Sequence, residues 1–154
     1  MAPNGDVIVA GEFFGSVDFG GGALNTAGNS DIAVARFDAS GNHLWSKRFG
    51  DFNEQRVTGI AVDDSGNPWL TGYFVGGLDF GSFDVFVAKL AGDGTHLWSQ
   101  RYGDSNVQYH YALTVAPDGS LWVLGIFLGV IDFASGGQLV NVGGFDGYWA
   151  HLLP

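Results

Sequence analysis

Apolar and polar residues alternate along short runs of the chain instead of recurring every three or four positions, and a two-residue period predicts β-strands. The most complete set occupies the middle. Its runs are Gly59-Ile60-Ala61-Val62-Asp63, Trp69-Leu70-Thr71-Gly72-Tyr73-Phe74, Asp84-Val85-Phe86-Val87-Ala88-Lys89-Leu90 and Thr95-His96-Leu97-Trp98-Ser99-Gln100-Arg101-Tyr102-Gly103. Between them lie turn clusters at Asp64-Ser65-Gly66-Asn67 and Ala91-Gly92-Asp93-Gly94, and a longer connection ending in Leu78-Asp79-Phe80-Gly81. Gly and Asn accept the left-handed backbone of tight turns, so the pattern predicts four antiparallel strands joined by turns.

The same set recurs on either side. Gly11, Gly72 and Gly125 end equivalent strands, and Asp18-Phe19, Asp79-Phe80 and Asp132-Phe133 each follow seven residues later. From Asp31 to Gly72 is 41 residues, as it is from Asp84 to Gly125. His43-Leu44-Trp45-Ser46 returns as His96-Leu97-Trp98-Ser99, and Arg48-Phe49-Gly50-Asp51 as Arg101-Tyr102-Gly103-Asp104. A fixed four-strand period predicts an all-β repeat array of propeller type, in which each four-stranded antiparallel blade buries its faces only against its neighbours. The expected units are a partial blade over 1–50, a full blade over 57–103 and a partial blade over 110–154, with three, four and three strands. The chain reads as opening in mid-repeat, as a fragment would. Because propellers close with roughly four to eight blades, the ten strands predict completion by homo-oligomerisation. A homodimer making five or six blades is the expected form.

Composition narrows the partners. Six basic residues against sixteen acidic ones, a net charge of −10, repel phosphate backbones and anionic lipid, so nucleic acid is not an expected partner. No apolar run approaches the ~20 residues of a membrane-spanning helix, and Met1-Ala2-Pro3-Asn4 is not the start of a signal peptide. The chain has no cysteine, hence no disulfide and no thiolate metal site.

The pattern Gly-Ile-Ala-Val-Asp-x-Ser-Gly-Asn over Gly59–Asn67 with Gly72, followed by Asp84-x-x-Val87-Ala88-Lys89-Leu90, resembles the bacterial β-propeller repeat family known as SBBP, and more distantly the NHL repeats. The middle unit follows it best. The third departs from it, with Ala112-Leu113-Thr114-Val115-Ala116 in place of Gly-Ile-Ala-Val-Asp. The resemblance implies a propeller in a secreted or cell-surface protein. It brings no common catalytic residues.

Candidate chemistry is sparse. The turns Asp38-Ala39-Ser40-Gly41-Asn42 and Asp63–Asn67 lack the oxygen ladder and closing Glu of a calcium loop and read as hairpin turns. Asp18, Asp79 and Asp132, with Asp31, Asp84 and Asp146, recur in every unit and are expected to cap blades, paired with Arg36, Lys89, His151, Arg48 and Arg101, with acid–base pairing or metal holding as the functional alternative. Trp45, Trp69, Trp98, Trp122 and Trp149 read as packing between units, with sugar stacking as the functional alternative. Hydrolase, zinc-protease and nucleotide motifs are missing, so no cofactor, metal or catalytic set is expected.

The units disagree most in the links between them, and function tends to sit on variable loops held by a rigid scaffold. Asn53, Gln55 and Arg56 in the first link, and Asn106, Gln108, Tyr109, His110 and Tyr111 in the second, form the candidate ligand site. The expected function is a non-catalytic binding module or scaffold that takes carbohydrate or another protein. A purely structural repeat is the alternative, and a propeller enzyme built around His110 comes third.

Overall fold

The computed structural model describes residues 1–75, 83–133 and 137–153. Asp79, expected to cap the second unit, and Phe80 beside it lie outside them. Among the described residues the chain is all-β, with three main antiparallel sheets. The first contains β1 (Val7–Phe13), β4 (Asp31–Phe37) and β5 (His43–Phe49), in that order; two short strands, β2 (Ser16–Asp18) and β3 (Ala23–Asn25), form a hairpin between β1 and β4. The second has four strands in sequence order, β6 (Gln55–Val62), β7 (Pro68–Val75), β8 (Phe83–Leu90) and β9 (His96–Tyr102). The third contains β10 (Gln108–Val115), β11 (Leu121–Phe127) and β14 (Asp146–Leu152), and a further hairpin joins β12 (Val130–Asp132) to β13 (Gln138–Val140). Three, four and three long strands match the expectation, but the described residues do not close into a ring.

The Gly-, Asn- and Ser-rich connection from Gly15 to Ser30 folds into the β2–β3 hairpin. Gly20 and Gly22 adopt positive φ, and the Asp18 carboxylate accepts their N–H groups at 2.7 and 3.1 Å. Three-residue strands carry too little alternation to stand out in the sequence. The tight turns obey one chemistry throughout. Asp38 accepts the Ser40 and Asn42 N–H groups at 2.9 and 2.8 Å, and Asp63 accepts those of Ser65 and Asn67 at 3.0 and 2.9 Å. The side-chain and backbone donors of Asn42 hold the Asp38 carboxyl below its ordinary value. These carboxylates serve their own turns, and Asp63 also takes the Lys89 ammonium at 3.1 Å, so Lys89 pairs with a turn aspartate and not with a blade-capping one.

Repeated Gly72 and Gly125 answer a steric need. The first strands of the second and third sheets, β6 and β10, bulge at Val57/Gly59 and His110/Ala112, and a Cβ on either glycine would collide with the carbonyl oxygen of Arg56 or Tyr109. A Cβ on Gly11 would meet nothing within 4 Å, because β1 is itself the edge strand of its sheet and no bulged strand pairs on that side.

Alternation along β7 gives the second sheet two buried faces. Leu70, with Leu90 from β8, meets Ile8, Ile32 and Val34 of the first sheet, while Trp69 and Tyr73, with Val85 and Val87, meet Leu121, Val123, Phe127 and Tyr148 of the third. Ile131 and Phe133, from the connection after β11, add to that second cluster. Burying one indole removes on the order of 200 Å² from water, roughly 5 kcal/mol before the cost of ordering. The first junction also has a polar tie. Arg36 pairs with Asp6 at 2.8 Å and donates across to Gly66 O and Gly92 O at 3.0 and 2.9 Å.

Candidate functional site

Both links between sheets are built alike. Asp51 accepts the Asn53 N–H at 2.8 Å and the Gln55 side-chain amide at 2.7 Å, while its own N–H donates to the Gln55 carbonyl at 2.9 Å. Asp104 accepts the Asn106 N–H at 2.8 Å and its side-chain amide at 3.0 Å, with the Gln108 amide at 2.8 Å and the Val130 N–H at 2.9 Å. Asn53, Gln55, Asn106 and Gln108 thus shape their own links. Gln55 and Gln108 are buried, and positive-φ Gly50 and Gly103 leave the room they occupy.

His110 also lies inside. Its ring is fully buried against Tyr148, with Nδ1 on the Thr71 hydroxyl. That hydroxyl donates to Phe86 O at 2.8 Å, which leaves its oxygen to accept a hydrogen bond from Nδ1–H. The imidazole is neutral in this arrangement, and burial lowers its pKa from 6.5 to about 3. It stands apart from the surface residues beside it.

The remaining three candidates do converge. Arg56 from β6 and Tyr109 and Tyr111 from β10 line an open cleft of about 340 Å³ together with Thr58 and Tyr73. Period-two alternation explains the division on β10: Gln108 and His110 point inward, Tyr109 is half-buried and Tyr111 is exposed. The Arg56 guanidinium donates to the Tyr73 hydroxyl at 3.0 Å and pairs with Glu12 of β1 at 2.9 Å. The hydrogen bond to Tyr73, then the charge of Glu12, raises the Arg56 pKa further. Tyr73 and Tyr109 meet edge to face with centroids 5.2 Å apart. Burial, then the neighbouring Tyr73, Tyr111 and Glu54, raises the Tyr109 pKa, so its phenol stays protonated at neutral pH.

The site therefore offers phenolic donors, aromatic faces and a cation already balanced by a carboxylate. Such a set suits a small, uncharged polar ligand better than an anion. A second crevice, about 260 Å³ between the first and second sheets, is lined mainly by Ile32, Leu70, Phe74 and Phe86, and its Gln55 amide is already committed to Asp51. Its other polar side chains, His96 and Ser99, bond to each other at 2.9 Å. Among the described residues no group of three or more His, Asp or Glu side chains is placed to hold a metal ion.

Tyr73, Thr58 and Glu12 were not legible as site residues from the link sequences. A signal did exist. Glu12, Tyr73 and Ile126 occupy one repeat position, each one residue beyond the shared glycine, with three different chemistries. No family model matches the chain, and no curated protein matches it.

Proposed function

We propose that the chain is a non-catalytic binding module whose sheets are propeller-type blades of the SBBP kind, working outside the cell, and that the cleft at the second link takes a neutral polyhydroxylated ligand such as a carbohydrate. The observation that carries this reading is the meeting of Arg56, Thr58, Tyr73, Tyr109 and Tyr111 in one open cleft. Exposed Tyr111 supplies a face for the C–H side of a sugar ring, while Thr58, the phenols and the guanidinium supply hydroxyl partners. Neutralisation of Arg56 by Glu12 argues for an uncharged ligand.

The test is a glycan array at high protein density, followed by titration of the best ligand. Binding that weakens about 5-fold in Tyr111→Ala, the loss of roughly 1 kcal/mol of aromatic contact, is the expected result. An array blank at every density, or a ligand indifferent to both Tyr111→Ala and Arg56→Met, removes the cleft from consideration. The exposed apolar faces at the two ends of the stack favour assembly as a second role.

A further inference from the structure

The three sheets present one repeat position in three environments. Val34 in β4 and Val87 in β8 pair with the strand residues preceding Gly11 and Gly72, and each is 0% exposed because the next sheet covers it. Trp149 in β14 holds the same place beside Leu124, and it is 71% exposed. Trp122 stacks on it at 4.9 Å, and Leu124 completes an apolar crevice on this free face. Three connected apolar side chains, Trp149 and Leu124 exposed and Trp122 half-buried, are more than the scattered single residues of an ordinary surface.

The opposite end shows the complementary lack. Leu70 and Val123 are 3% and 1% exposed, each covered by the preceding sheet, whereas Val9, their counterpart in the first sheet, is 39% exposed. One chain thus carries both halves of the junction it uses twice internally, each half uncovered and at opposite ends. The size of the residues fits as well. In the internal junction Thr71 faces His110 from β10, the first strand of its sheet, but in the first sheet no bulged strand pairs beside β1, where Gly11 meets nothing within 4 Å. Leu124, the counterpart of Thr71, brings extra bulk to a place where the facing sheet is short of it.

We infer that the Trp149 face of the third sheet docks on the Val9 face of the first sheet of a second copy of this chain. Because the two faces differ, the contact is head-to-tail. Used twice, it closes two chains into six sheets, within the four to eight typical of propellers. The argument rests on the end faces alone and is independent of the tyrosine cleft.

Light scattering over a dilution series, with Val9→Lys and Trp149→Lys, tests it. Both positions are exposed in the single chain, so the variants keep their fold, which far-UV circular dichroism checks; lysine is chosen because the chain already carries −10. The wild type is expected to be a dimer, and each variant alone a monomer. Mixed in equal amounts, the variants are expected to form a heterodimer, because Val9→Lys retains an intact Trp149 face and Trp149→Lys an intact Val9 face. A wild type that is monomeric at every concentration overturns the inference. So does a dimer that survives either substitution, or a mixture that remains monomeric, as symmetric Trp149-to-Trp149 contact would leave it.

Discussion

The two internal junctions use the same repeat positions and fill them differently. Between the second and third sheets the space is taken by rings, with Trp69, Tyr73, Tyr102, Phe127, Phe133 and Tyr148 around a buried histidine. Between the first and second it is taken by Ile8, Ile32, Val34, Leu70 and Leu90, and an arginine reaches across to hold two turns of the neighbouring sheet. The aliphatic junction leaves an apolar crevice of about 260 Å³, and the ring-filled one a polar-rimmed open cleft of about 340 Å³. The register of the repeat thus fixes which positions face which, while the volume and polarity of the residues decide how tightly each joint is closed.

Four measurements separate the joints. Trp69→Ala is expected to have the largest effect, about 4 kcal/mol in urea unfolding, because the indole is 1% exposed and its neighbours come from two sheets. A loss below 1 kcal/mol would mean that the ring-filled joint is not the stronger one. Arg36→Ala is expected to cost about 3 kcal/mol, since it leaves Asp6 buried without its partner and frees Gly66 O and Gly92 O. If Arg36→Ala and Asp6→Asn together cost no less than the sum of the two singles, the tie is not acting as a unit.

The third measurement concerns acid. His110 is held neutral in the fold, with its pKa lowered from 6.5 to about 3, so the unfolded chain binds the proton more readily. Its contribution is complete above pH 6.5 and is lost as pH falls from there towards 3, about 2 kcal/mol by pH 5. His110→Gln is expected to flatten that limb between pH 6.5 and 5. An unchanged slope would place the acid sensitivity elsewhere. The smallest effect is expected from Tyr111→Ala, under about 0.5 kcal/mol of stability, because Tyr111 is exposed at the edge of the aromatic joint. A larger loss would make it part of the packing and not of a ligand surface.

The order of the long strands was legible in the sequence wherever six or more residues run between turn signals, as from Asp84 to Leu90. The β2–β3 hairpin was not legible, since its strands are three residues long and embedded in Gly, Asn and Ser. At the site, Arg56, Tyr109 and Tyr111 were found because they lie in links that differ between units. His110 lies in the same run, yet alternation turns it inward with Gln108. Tyr73 was hidden for the converse reason: in the sequence it is one more aromatic in a strand, and only the packing of β10 beside β7 shows that its hydroxyl reaches Arg56.

The division of the apolar interior into two clusters, both anchored on the second sheet, bears on how the chain would yield under tension. Strands β1 and β4 reach the rest of the interior through one cluster and β11 and β14 through the other, so a pull on the two termini loads the two joints in series. The aliphatic joint, whose cluster is built of smaller side chains, is expected to part at the lower force even with Arg36 and Arg56 reaching across it. The four-stranded sheet would then be the last element standing in a force–extension trace, and its amides the slowest to exchange with heavy water in the relaxed protein.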